Sequence, residues 1–325
     1  MKRQPWMRQA IAAGKEFHAM RQDSRLHNTR NLSWTAAVLI GIALVLAAGA
    51  LVPPLPYLLV APWLLGSLIF SIFILVIHEC SHNMFVLLSD RAATKIWNRR
   101  IGMAFSAPFF TDYLKHWEHG HTIHHLRPCE DDDPQDRFPL TGLPLYWRLA
   151  VLALVPGSVV AFNPSNQYGF SARRLALGVV LLVIPTVLLG MYVGWHVGVA
   201  VLAGMHVVQM FNMLKKAQEH GNGLKHAADP LLRSRTYLYR LARFSSPFHI
   251  NYHFEHHANF MVPWYALPAY HARLREIVPE ELQPWFFHHR YLDQVRGTFP
   301  TVSVELVYGG QDEVAEAPEL GVGTG

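Results

Sequence analysis

The chain is poor in cysteine and in charge. Two cysteines, Cys80 and Cys129, in 325 residues exclude a disulfide framework and a four-cysteine zinc site. Charged residues make up 16% against 51% hydrophobic, and the apolar residues are bunched in runs long enough to cross lipid. That distribution argues for a single membrane-embedded unit rather than two small domains. A secretory leader is not expected, because about thirty polar and basic residues precede the first apolar run. No internal sequence repeat is visible.

Net charge is +5 and the isoelectric point near 9.2. The basic excess lies before and between the apolar runs, where the positive-inside rule puts it, so no nucleic-acid partner is expected. Residues 1–32 carry Lys2, Arg3, Arg8, Lys15, Arg21, Arg25 and Arg30 and read as a basic, partly helical segment. Spans are expected at 34–52, 57–77, 175–192 and 196–214, as two hairpins around the uncharged links 52–56 and 193–195. The second is about 31 Å long at 1.5 Å per residue, one hydrocarbon core. Residues 145–162 are apolar but interrupted by Arg148 and Pro156. If they crossed, Arg173–Arg174 and Lys215–Lys216 would fall on the translocated side, so this stretch is expected to be interfacial or partly inserted. Four spans put both termini in the cytoplasm, with a main domain over 33–308 and a small, acidic, disordered tail at 309–325. The expected fold is therefore an all-α integral membrane protein with a cytoplasmic helical cap.

Histidine is what the chain has in concentrated form. HECSH at 78–82, HTIHH at 121–125 and HFEHH at 253–257 are joined by a shorter motif, QEHGN at 218–222. His78 and His82, four apart, share one face of a helix just beyond the second span. HECSH also satisfies the H-E-x-x-H pattern of zinc metalloproteases, which on an apolar helix leaves an intramembrane protease open. The triplets point elsewhere. Spacings of i, i+3 and i+4 align three imidazoles, and two triplets plus the pair offer more nitrogens than one tetrahedral zinc takes. A dinuclear centre shared by all the motifs is expected. A histidine-rich metal transporter is the other class, and it would need more polar residues within the spans than these have.

This set resembles the membrane fatty acid desaturase superfamily, whose members carry HxxxH, HxxHH and HxxHH boxes. The likeness covers roughly 35–275 and includes NYHFEHHANFMVPWYALPAYH at 251–271 and Asp133–Pro134 behind the second box. It implies two irons held by His78, His82, His121, His124, His125, His253, His256 and His257, with His220 as a further ligand after the last span. It also implies O2 as co-substrate, a lipid acyl substrate, and desaturation to a C=C bond; hydroxylation, ketolation or decarboxylation on the same site is the alternative outcome. Three residues inside the first box place the chain nearer the bacterial, plant acyl-lipid, sphingolipid and carotenoid branches. A histidine opening the third box disfavours the front-end branch. With neither an HPGG haem segment nor a cysteine-rich iron–sulfur pattern, electrons are expected from a separate ferredoxin-, rubredoxin- or cytochrome b5-like carrier.

Other residues support weaker expectations. Glu79, Glu219 and Glu255 adjoin ligand positions and either orient imidazoles or are simply solvated. Asp131, Asp132 and Asp133 read as a loop, and His116 and His119 as surface histidines. His206, mid-span, reads as a packed, hydrogen-bonded histidine, and Cys80 as a small buried group.

Overall fold

A computed structural model describes residues 4–289 except 136–140, 170, 222, 223, 225, 226, 228 and 241; the tail expected at 309–325 lies outside the described residues. Helices dominate. Four are long and apolar enough to cross a membrane: α2 (Ser24–Ala48), α3 (Pro54–Ser81), α7 (Ala172–Tyr192) and α8 (Trp195–His220).

Helix α2 starts ten residues before the apolar stretch, where the Asp23 carboxylate accepts hydrogen bonds from the N–H groups of Arg25 and Leu26 at 2.8 and 3.0 Å. This is an N-cap. Pro54, in the first turn of α3, needs no hydrogen-bond partner for its nitrogen, and a proline ring presets φ near the helical value. At 28 residues, α3 is about 42 Å long at 1.5 Å per residue, more than the roughly 30 Å of hydrocarbon, so one end projects. His78 is on the projecting end.

The spans are not equivalent. α3 and α8 are buried over about half of their length or more, whereas α2 and α7 expose most of theirs. The inner pair approaches closely because glycine meets glycine. A Cβ on Gly66 would lie 2.5 Å from Val207 and 3.0 Å from the Gly204 carbonyl oxygen, and one on Gly204 would lie 3.4 Å from the Gly66 nitrogen. Small residues at a crossing are how membrane helices gain van der Waals contact. At the opposite end from the histidine boxes, His196 Nε2 bonds the Gly49 carbonyl at 2.8 Å, fastening the first hairpin to the second.

Helix α6 (Gly142–Leu154) has 13 residues, too short to cross. It packs on α8, and one imidazole serves both sides of its break. His206 Nδ1–H donates to the Leu152 carbonyl at 2.7 Å, and His206 Nε2 accepts from the Gly157 N–H at 3.2 Å. His206 is thus the hydrogen-bonded histidine that the sequence suggests, and its partners explain why an unpaired imidazole does not sit there.

The cap is built from both chain ends. α1 (Pro5–Ala13) buries Trp6, Met7 and Ala10 against Phe254, Tyr270, Leu274 and Phe286, and the Tyr270 hydroxyl donates to the Ala10 carbonyl at 2.7 Å. The basic N-terminal stretch is thus part of the folded cap. The only β-structure among the described residues is a two-residue parallel pair, Thr236–Tyr237 with Phe287–His288.

Candidate metal centre

Two of the three boxes open where the helix is wound as π. Phe73–His78 runs into His78, and Tyr113–Gly120 runs into α5 (His121–Leu126). A π-turn inserts an extra residue and rotates the next turn of helix about the axis by roughly 100° relative to α geometry. The third box forms α9 (His253–Ala258), and His220 is the last residue of α8.

All nine histidines come together, in two groups. His78, His82, His121, His125 and His256 form one; His124, His220, His253 and His257 form the other; within each, the ligand nitrogens lie within 4.8 Å of one another. Each triplet divides between them. In the second box the i and i+4 imidazoles join the first group and the i+3 imidazole the second; in the third box the assignment is reversed. The groups therefore adjoin, with the rings of His125 and His257 4.4 Å apart across the boundary.

The geometry fits metal and little else. Nε2–Nε2 separations are 3.0 Å for His78–His256, 3.0 Å for His82–His121, 3.2 Å for His121–His125 and 2.8 Å for His220–His253. Neighbouring ligands about 2.1 Å from one ion stand about 3 Å apart at right angles. The opposite ring nitrogens settle the proton positions. His220 Nδ1 is 2.7 Å from the Arg233 carbonyl oxygen, which can only accept, so Nδ1 carries the proton and Nε2 a lone pair. His253 Nδ1 lies 3.2 Å from the Glu219 carboxylate without making a hydrogen bond to it. The lone pair of His220 Nε2 faces His253 Nε2 at 2.8 Å, a spacing at which one ion could take both nitrogens.

Carboxylates and an amide orient other rings. His124 Nδ1 bonds Asp133 at 2.9 Å, and His121 Nδ1 bonds the Gln135 side-chain oxygen at 2.7 Å. Such partners fix tautomer and ring direction and raise ligand basicity. Asp133 is fully buried and also accepts the N–H groups of Cys129 and Gln135, each at 2.8 Å. Burial alone would raise its carboxyl, but the charge of His124 and these hydrogen bonds hold it well below the usual carboxylate range. Asp131 and Asp132 are exposed, so the loop reading holds for them, while Asp133 is a buried partner of a histidine. Glu219 is buried, 2.6 Å from the Lys215 ammonium. Glu255 is buried and bonded to His271 at 2.6 Å and to the Thr236 hydroxyl. Solvation is therefore not the role of either, nor of Glu79, which is buried 3.7 Å from His78 Nδ1. His119 is not buried, but His116 is, contrary to the surface reading.

Burial pushes His121, His125, His253, His256 and His257 well below the normal imidazole value, and neighbouring histidines push them further. His82 falls to about 3, chiefly through burial and then through His124. These rings are neutral at physiological pH, the form that binds metal.

A cavity of about 30 Å³ opens onto both groups, touching His78, His121, His124 and His253. Phe73, Ile74 and Trp117 make its apolar side, and Asn212, Lys215, Lys216 and His116 its polar side. It has room for one or two molecules the size of water or O2. The parts that the sequence did not disclose are Gln135, Lys215 and the Arg233 carbonyl. Nothing in their spacing marks them, whereas the Asp133–Pro134 pair does mark a turn that sets Asp133 behind the second box.

A family model of fatty acid desaturases matches residues 53–289, well over half of the chain and all four histidine motifs. The chain belongs to the fatty acid desaturase family. Among curated proteins no relative matches it. Family membership and the four apolar helices make it an integral membrane oxidoreductase that acts in lipid chemistry. It also argues against the protease reading, since His78 and His82 share their group with three further histidines.

Proposed function

We propose that the chain is a di-iron, O2-dependent acyl-lipid desaturase, with the nine histidines as metal ligands. The observation that carries this is the division of both triplets between two adjoining groups of imidazoles, which makes a site for two ions side by side. Two bound irons would supply the activation of O2 and the removal of hydrogen from an unactivated C–H bond, which protein side chains do not achieve alone. Balanced, the reaction is –CH2–CH2– + O2 + 2 e⁻ + 2 H⁺ → –CH=CH– + 2 H2O.

The chain's own residues do the rest. Burial keeps His82, His121, His125, His253, His256 and His257 neutral and able to bind. Asp133, Gln135 and the Arg233 carbonyl take the Nδ1 side of His124, His121 and His220 and so aim their Nε2 atoms inward. Lys215 balances the buried Glu219 charge. Phe73, Ile74 and Trp117 keep one wall dry, which strengthens the electrostatics of the site and limits side reactions. The cavity is far smaller than an acyl chain, so substrate entering through it displaces side chains along this wall. Positive-inside asymmetry, with Arg173–Arg174 and Lys215–Lys216 flanking the second hairpin, supports a cytoplasmic centre and cytoplasmic termini.

Metal analysis of the purified protein, joined to lipid profiling of cells that make it, tests the reading. About two irons per chain, fewer in His256→Ala, together with new double bonds, is the expected result. New hydroxyls in place of double bonds would transfer the chain to the hydroxylase outcome. A single zinc indifferent to His256→Ala would overturn the di-iron reading altogether.

A further inference from the structure

The side chains of the nine histidines are buried, that of His125 among them. Its ring is 5.3 Å from that of Phe260, and Phe260 also stacks on His82 at 5.4 Å with an interplanar angle of 26°. Phe260 is 38% exposed. Trp117, which also contacts His78 and His121, is buried. Phe260 is therefore a solvent-facing ring in direct contact with two imidazoles of the first group. Among the described residues, the orienting partners of the second group, Asp133, Glu219 and Arg233, are buried.

The chain around Phe260 is anchored to the N-terminal segment on both sides. Asn259 accepts from His18 Nε2–H at 2.9 Å, and the Met261 carbonyl accepts from the Ala19 N–H at 2.9 Å. Those bonds bring the short helices Gly14–Phe17 and Ala19–Arg21 beside the ring. Lys15, Glu16, Met20 and Arg21 are exposed there, a rim of two positive charges and one negative beside two apolar side chains. An apolar centre with a charged rim is the usual anatomy of a transient protein contact.

We infer that Phe260 is the contact through which a reduced, acidic one-electron carrier protein delivers electrons to the dimetal centre, guided by Lys15 and Arg21. The inference rests on the redox-active centre proposed above and adds where its electrons come from. Each encounter oxidises one carrier by one electron and reduces the centre by one, so two encounters supply the two electrons consumed with each O2. Position favours a soluble carrier over anionic lipid as the partner of this rim, because the rim surrounds the ring that touches the ligands.

The test uses the metal-loaded full chain in neutral-lipid nanodiscs, with an acidic [2Fe–2S] ferredoxin as carrier and dithionite as a small reductant. In Lys15→Glu/Arg21→Glu the ferredoxin rate constant should fall about tenfold at low ionic strength and recover toward wild type in high salt. The dithionite rate should not change. Phe260→Ala should weaken ferredoxin binding, followed by fluorescence anisotropy on metal-free protein too, and slow electron transfer even at saturating ferredoxin, while the dithionite rate stays as in wild type. Phe260→Tyr should restore the rate. Unchanged ferredoxin rates in these variants would overturn the inference, as would charge reversal that altered only affinity for anionic vesicles. A centre that dithionite also fails to reduce would sink the redox reading itself, a separate failure.

Discussion

His220 and His253 stand 33 residues apart in sequence, yet their Nε2 atoms are 2.8 Å apart, with the His220 proton held on the far side of its ring by the Arg233 carbonyl. Four buried imidazoles gathered in one group favour a bound cation, so the folded cap is expected to depend on metal. Stripping the protein with a chelator should lower its melting temperature markedly. Metal at a thousand times its Kd adds about 4 kcal/mol of stability. A melting curve indifferent to chelation would contradict a metal-dependent cap.

Acid should act on the metal-free protein in a defined window. His82 has a folded pKa of about 3 against 6.5 when unfolded, so between these values the unfolded chain binds a proton that the folded chain refuses. Stability is full above pH 6.5 and falls as pH drops toward 3, by about 1.4 kcal/mol per pH unit for each such histidine. Thermal melts of the metal-free protein between about pH 7.5 and pH 5 check both sign and steepness.

Because the triplets divide, neighbouring residues should have separable effects. His124→Ala removes a ligand of the second group and His125→Ala one of the first. Each variant is expected to lower metal content from about two ions per chain toward about one, with a different ion lost. Spectra of the half-loaded proteins should differ from each other; identical spectra would mean a single undivided site.

Asp133→Asn removes the charge behind His124 while keeping its size. Loss of such a partner typically weakens metal binding about 10–100-fold. Competition against a chelator should show that loss for one ion, leaving the other close to wild type. Asp132→Asn, on an exposed residue paired with Arg127, should leave both unchanged.

Gly66→Ala tests whether the membrane helices set the spacing of the site. The added Cβ meets Val207 at 2.5 Å, and overpacking of this kind costs about 1–3 kcal/mol. Metal retention and melting temperature should both fall, and Val207→Ala on the same chain should recover part of each.

Much of this architecture is legible in the sequence because histidine and hydrophobicity are both periodic signals. The four apolar helices follow from run length, and the gathering of His78, His82, the two triplets and His220 follows from spacing and resemblance. Orientation within the site was not legible. Each triplet does lie on a short α-helix, but that helix sits between the two groups, so its i+3 imidazole reaches one group and its i and i+4 imidazoles the other. His116 and Asp133 look solvent-exposed by residue type, and only tertiary folding buries them. Trp6 and Met7 sit in a basic segment whose charge conceals its packing into the cap.

The position of His220 at the end of the last span has a consequence for how the protein is made. His253 is translated 33 residues after His220, and the second group takes one histidine from α8 and two from α9. A nascent chain with α8 misplaced in the bilayer cannot bring those imidazoles together. Metal uptake at the second group would then report on whether the last span was inserted correctly.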